Sequence, residues 1–207
     1  MFKSIVPLFI ALLALVGCND ASTPKEGDKY KVVAEAADAA PVVEVFSLAC
    51  GHCRSMETML PEIKKIAGVE IDKVHVTFNQ SAQVAAYIFY TAAIQTNGAP
   101  EPALMEALFA YVQDTSDTVT ITEEERKSQL TGIFKTYNLA SPYELTEDQH
   151  KQIYQKLSEA EQLVSSAEIA SVPAFLVQGK YLVESSAHES IEDMANTISY
   201  LSKLESK

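Results

Sequence analysis

Pro41-Val42-Val43-Glu44-Val45-Phe46-Ser47-Leu48-Ala49-Cys50-Gly51-His52-Cys53 is the stretch that decides the fold of this 207-residue chain. Its first six residues are rich in β-branched valine and nearly continuous in apolar character, the pattern of a short buried strand. Two cysteines separated by two residues stand where the strand ends. Helical spacing then takes over from Cys50 to Ala67, with Met56, Met59, Leu60, Ile63 and Ile66 on one side. Pro61 falls inside this run and is expected to kink it, and Gly68 supplies a stop. Strand, cysteine pair and helix therefore follow one another without a linker.

That placement has chemical consequences. On a first helical turn, residues three apart lie close enough for their sulfurs to bond. The helix N-terminus presents free N–H groups and partial positive charge, both of which stabilise a thiolate on Cys50. His52 adds to this when protonated or when it donates a hydrogen bond. A sulfur stabilised as an anion is a good leaving group, so a Cys50–Cys53 disulfide would be readily attacked and handed on. Cys50 is thus the candidate for the mixed disulfide and Cys53 for the resolving thiol. Two other readings of the pair are a structural bridge and half of a zinc site. A bridge closing so small a loop contributes little stability. Zinc needs two more ligands, whereas His75, His150 and His188 are isolated and there is no second cysteine pair. No metal is expected.

Working outward, Ile71 to Phe78 alternates through Val74, Val76 and Phe78 and predicts a second strand. From Ser81 the texture is helical for about 90 residues. Ala82 to Gln95 is apolar nearly all round and is followed by Asn97-Gly98. Pro102 to Val112 is the next helix. Thr122 with Glu125, and Thr146 with Gln149, are capping-box patterns, the second opening a long helix towards Ile169. Tyr87, Phe89 and Tyr90 are read as core of these helices. Strand chemistry returns at Ala174-Phe175-Leu176-Val177, turns at Gln178-Gly179-Lys180 and continues at Tyr181-Leu182-Val183, a hairpin. Ile191 to Leu204 closes the chain as an amphipathic helix. The sum is an α/β domain carrying an α-helical insertion.

The N-terminus reads as an address. Met1-Phe2-Lys3 is a short basic start, and the apolar run Ile5 to Val16 is 12 residues long. That suits the roughly 7–15 of a signal-peptide core and falls short of the ~20 that span a bilayer. Leu15-Val16-Gly17-Cys18 then resembles a bacterial lipoprotein signal, with Cys18 the lipidated first residue; an ordinary secretory signal with a spare thiol is the alternative. Removing residues 1–17 leaves 190, and Asn19 to Glu26 reads as a flexible tether. Ala34 to Ala40 is Ala-rich, a loop or weak turn. Sixteen basic residues against 28 acidic ones give −12, which argues against nucleic acid as a partner. Export places the cysteines where disulfides persist.

Taken together, Val43 to Cys53, Lys73-Val74-His75-Val76-Thr77-Phe78, and Val172-Pro173-Ala174-Phe175-Leu176-Val177-Gln178-Gly179-Lys180-Tyr181 resemble the DsbA family of thiol–disulfide oxidoreductases. The resemblance covers most of the chain from about Gly27 to Lys203. It implies a thioredoxin-like fold interrupted by an inserted α-helical domain. The boundaries expected are a signal over 1–17, a tether over 18–29, a thioredoxin-like domain over 30–80 and 170–207, and the insertion over 81–169. Pro173 matches the family's cis-proline, whose loop faces the disulfide and offers backbone groups to an extended substrate; an ordinary trans proline is the alternative. Val172 would flank the site and tune it. Glu44 and Lys73 match a buried pair of charges that would exchange a proton with Cys53. A carboxylate in a strand covered on both faces needs such a partner, unless Glu44 sits at a frayed, exposed end. Glu57 also matches a family acid, or is a solvated charge on the helix face. Gly51 departs from the proline many members carry, and Gly-His between the cysteines also resembles protein disulfide isomerase. Oxidising strength is therefore not transferred.

Three functions follow. The first is an exported, lipid-tethered, periplasmic dithiol oxidase. It needs no cofactor beyond the Cys50–Cys53 disulfide, serves unfolded or reduced exported proteins, and is re-oxidised by a quinone-linked membrane partner of the DsbB type. The second runs the same chemistry in reverse, as an isomerase or reductase. The third is a non-catalytic binding lipoprotein whose cysteines merely bridge.

Overall fold

The computed structural model describes residues 23–36, 39–114 and 121–204. The signal over 1–17, the lipidation candidate Cys18 and the first part of the tether lie outside the described residues.

In chain order the elements are β1 (Tyr30–Val32), β2 (Val42–Phe46), α1 (Gly51–Ala67), β3 (Asp72–His75), α2 (Gln80–Ala93), α3 (Pro102–Gln113), α4 (Glu123–Thr136), α5 (Glu147–Ser166), β4 (Ala174–Val177), β5 (Tyr181–Val183) and α6 (Ile191–Leu201), with one 3₁₀ turn at Ser185–Ala187. One five-stranded sheet runs β1-β5-β4-β2-β3. β2 and β3 are parallel, joined through α1, and every other pairing is antiparallel. Four helices, α2 to α5, intervene between β3 and β4, so the expected insertion stands between the two parts of an α/β sheet unit.

β2 is the centre of this plan and all five of its residues are buried. Val42, Glu44 and Phe46 share one face because side chains alternate along a strand. Val42 joins Leu60 and Ile63 of α1 and Met194, Ile198 and Leu201 of α6 in one core. Phe46 and Leu48 instead meet Phe89, Leu108, Phe109, Phe134 and Ile153 of the insertion. Val43 and Val45 on the opposite face pack with Val164, Ile169 and Leu176. The insertion thus shares its core with the active-site end of β2 and is not an appended module.

Helix ends follow the local chemistry. Both capping boxes form, Thr122 with Glu125 and Thr146 with Gln149. Gly68 takes the left-handed conformation at φ 68° and closes α1 on the Lys64 carbonyl. Pro61 lies inside α1, which runs on as one helix. The β4–β5 hairpin has the expected strands and turn, with Val177 opposite Tyr181 and Phe175 opposite Val183. Gly179, at φ 63°, is required twice over, since a Cβ there would stand 2.5 Å from the Ala36 carbonyl oxygen. Ala36 N–H donates to the Gly179 carbonyl at 2.8 Å, so the Ala-rich segment docks on the hairpin turn.

Three expectations need correction. The second strand covers Asp72–His75 rather than 71–78, and its alternation is not the one read from valines. Phe78 is 49% exposed while His75 is fully buried. β3 is an edge strand; the Tyr90 hydroxyl accepts the His75 N–H at 3.2 Å, and Val76 N–H still donates to the Phe46 carbonyl at 2.9 Å. β1 was not expected at all. Lys29, at the end of the expected tether, is docked, donating to the Ala187 carbonyl at 2.7 Å and to Asp193 at 2.8 Å.

Candidate active site

The turn Ser47–Cys50 carries the chain from β2 into α1, with Cys50 N–H donating to the Ser47 carbonyl at 3.0 Å. Cys50 itself is the N-cap of α1, in extended conformation, and its Sγ accepts the Cys53 N–H at 3.3 Å. The sulfur therefore occupies the position where side-chain oxygens usually cap a helix and meets the positive end of the helix dipole. On its other side, the thiol donates to the Val172 carbonyl at 3.5 Å. The Val172–Pro173 peptide is cis, and the Val172 carbonyl brings this loop against the sulfur.

The two cysteines, both free thiols here, differ in access. Cys50 is part-exposed, whereas Cys53 is fully buried. Burial first, and then the neighbouring Cys50 sulfur, push the Cys53 thiol well above the usual thiol range. One sulfur can meet another protein; the other is held protonated behind it. Gly51 and His52 are exposed on the first turn. A Cβ at Gly51 would meet nothing within 4 Å, so the fold does not demand glycine there. Among the described residues no hydrogen bond joins the His52 ring to Cys50.

Beneath this turn lies an ion cluster. Parallel pairing sets Glu44 beside Lys73, and Glu57 reaches the same ammonium from α1. Lys73 Nζ donates to Glu44 Oε2 and, at 2.6 Å, to Glu57 Oε2. It also lies 4.7 Å from the centre of the Phe46 ring. Glu44 is fully buried, which excludes the frayed-end reading, and Glu57 is 12% exposed, not a solvated face charge. Burial raises the Glu44 carboxyl above the ordinary carboxylate range, and Lys73 opposes that rise without cancelling it. Its Oε1 has no hydrogen-bond partner among the described residues. Burial thus favours the neutral form both of this carboxyl and of the Cys53 thiol, on which the Glu44 charge acts.

Sequence reasoning passed over three residues that hold the turn. His75 Nε2 accepts the Leu48 N–H at 2.9 Å, and its Nδ1 bonds the Val76 carbonyl at 2.7 Å. This arrangement calls for the neutral ring, and burial lowers its pKa to about 4. Gln113, at the end of α3, donates to the carbonyls of Leu48 and Cys50. Arg54 on α1 reaches Glu106 and Asp114 of the insertion. A histidine beside Lys73 in the family-like segment was the one available signal; a glutamine ending a helix carries none. His150 and His188 lie elsewhere, paired with Tyr87 and with Thr197. Among the described residues no group of three or more His, Cys, Asp or Glu is arranged to hold a metal ion.

Comparison with known proteins agrees with this architecture. A family model described as Thioredoxin matches residues 31–198. No curated protein matches the sequence. Among solved structures, DsbL from Salmonella enterica serovar Typhimurium superposes with a TM-score of 0.68 at 18% identity, covering 89% of this chain and 100% of that one. DsbA from Klebsiella pneumoniae gives 0.64 at 17% identity, covering 87% and 98%. DsbA from Proteus mirabilis, in complex with the non-covalently bound peptide PWATCDS, gives 0.59 at 18% identity, covering 86% and 96%. The fold, helical insertion included, is that of DsbA. On a match that takes in most of its sequence, the chain belongs to the thioredoxin family.

Proposed function

We propose that the protein is a thiol:disulfide oxidoreductase that donates a Cys50–Cys53 disulfide to exported proteins. The observation that carries this reading is the asymmetry of the pair: a part-exposed sulfur capping α1, backed by a buried one. In the oxidised form, a substrate thiolate attacks Cys50 Sγ and the S–S bond breaks towards Cys53. Cys53 leaves with the electron pair and takes a proton, supplied by Glu44, the fully buried acid of the cluster with Lys73 and Glu57. A second substrate thiolate then attacks the substrate sulfur of the mixed disulfide, and Cys50 leaves as a thiolate. The substrate loses two electrons and two protons, and the protein ends as the dithiol. Placement of Cys50 at the positive end of α1 favours that last departure.

The client lies along the cis-proline loop, with its backbone offered to the groups flanking Pro173 and with Val172 against the sulfur. The peptide complex of the Proteus mirabilis protein supports a client of this kind. Re-oxidation falls to a quinone-linked membrane partner of the DsbB type, in the periplasm. A lipid on Cys18 raises the effective concentration of such a partner. No described helix is long and apolar enough to cross a membrane.

The test is a thiol-oxidation assay on a reduced client, together with the equilibrium of the dithiol against glutathione. Cys50→Ser is expected to abolish turnover, and Cys53→Ser to accumulate the mixed disulfide. Bridging cysteines in a non-catalytic binder would leave client binding intact with no turnover in the parent protein. A poise as reducing as thioredoxin's, near −270 mV, would replace donation by reduction or isomerisation.

A further inference from the structure

Gln113 is the last residue of α3 and belongs to the insertion, yet its side chain works on the loop that presents Cys50. Its amide donates to the Leu48 carbonyl at 2.7 Å and to the Cys50 carbonyl at 3.2 Å. The N–H of the same Leu48 is taken by His75 at 2.9 Å. Leu48 is therefore gripped through both of its backbone polar groups, from β3 on one side and from the insertion on the other. The Cys50 carbonyl also accepts the Arg54 N–H at 3.1 Å, the bond that opens α1. The Gln113 amide thus meets the peptide from which both the helix and the sulfur start. Its own position is fixed in turn, because Arg54 bonds the adjoining Asp114 at 2.7 Å and also Glu106.

We infer that Gln113 is a positioning residue for the redox pair: through the Leu48 and Cys50 carbonyls, the helical insertion holds Cys50 Sγ in line with the Cys53 N–H and the Val172 carbonyl. Hydrogen bonds weaken steeply when their angle is lost. A reactive group must be held within about 0.5 Å and 10–20° by the residues around it. The amide also offsets the negative ends of two carbonyl dipoles within two residues of a sulfur that must carry negative charge. Without it, the Leu48 carbonyl loses its Gln113 donor and the Cys50 carbonyl keeps only the Arg54 N–H among the described residues, and the dithiol form loses part of its advantage. Reactivity is then a joint property of the sheet unit and the insertion.

This inference rests on the proposed exchange at Cys50, and the experiment separates the two. In the full chain, alkylation of Cys50 by iodoacetamide is followed across pH, and the dithiol is equilibrated with glutathione. Both are done in the parent, in Gln113→Leu and in Gln113→Glu, with thermal unfolding alongside. The ionisable groups on the elements meeting this loop include Cys53 and His52, Arg54 with Glu106 and Asp114, His75, and the Glu44–Lys73–Glu57 cluster, all kept in these variants. Gln113→Leu removes the donors at similar shape and is expected to move the alkylation profile to higher pH. It should also shift the equilibrium towards the disulfide by about three- to tenfold, the range of one or two net hydrogen bonds. Gln113→Glu, which turns acceptors onto two carbonyls, should shift both further. Gln113→Asn keeps an amide but shortens its reach, and guards against a folding defect by giving the same direction at smaller size. Variants that melt lower while keeping the parent's profile and equilibrium would reduce Gln113 to a structural tie. A parent whose Cys50 shows no anionic reactivity would remove the exchange itself, and this inference with it.

Discussion

Helix α1 joins two ion clusters of the same charge make-up, and they are not equivalent. Each holds one cation between two carboxylates: Lys73 between Glu44 and Glu57, and Arg54 between Glu106 and Asp114. In the first, side-chain exposures are 11%, 0% and 12%; in the second they are 27%, 53% and 59%. The inventory of charge is alike, and burial decides what each cluster does. Buried, the charges depend on one another, and burial raises the Glu44 carboxyl although Lys73 opposes it. Exposed, they are screened by water and salt and serve to hold α3 near α1.

The largest way to break that comparison is Lys73→Met. It leaves Glu44 buried without its partner, and urea unfolding at pH 7 should show a loss of about 3–5 kcal/mol. The loss should shrink as the pH falls and Glu44 becomes neutral. Next comes His75, on the same strand as Lys73 but buried uncharged. Its pKa is lowered to about 4 from an ordinary 6.5, so its contribution is complete above 6.5 and is lost as the pH falls towards 4. Across that window it should cost the parent about 3 kcal/mol, a slope that His75→Gln removes in unfolding measured at pH 7 and pH 4.5. Glu44→Gln tests the opposite sign. The folded carboxyl is raised by burial, so its contribution is complete below the unfolded value and is lost as the pH rises through the folded one. The stability of Glu44→Gln relative to the parent should therefore climb with pH. Arg54→Met should be the smallest change, below about 1 kcal/mol and smaller still in high salt. An Arg54 effect as large as that of Lys73 would erase the distinction between the clusters.

What the sequence disclosed follows from the range of the forces involved. The β2-to-α1 passage, the two capping boxes and the β4–β5 hairpin are written in residues within a few positions of one another, so local pattern is enough. β1 is three residues long with two of them exposed, and pairing with β5 makes it a strand; no property of Tyr30–Val32 alone announces it. β3 misled because its valines alternate, while the chain stops pairing at His75 and turns Phe78 outward. At the site, the cysteines, Pro173 and the Glu44–Lys73–Glu57 group were legible through motif and resemblance. His75 and Gln113 were not, since each acts on a backbone group that lies 27 or more positions away.

The direction in which β1 enters the sheet has its own consequence. Tyr30 is level with Val183, Phe175 and Glu44, and Val32 with Tyr181, Val177 and Val42. The polypeptide therefore enters β1 at the end of the sheet towards which β2 runs to Cys50. Eleven positions separate Cys18 from the docked Lys29. Fully drawn out, they measure at most about 40 Å. With an acyl group at Cys18, the reactive thiol would patrol a thin shell next to the bilayer, its business end on the moored side.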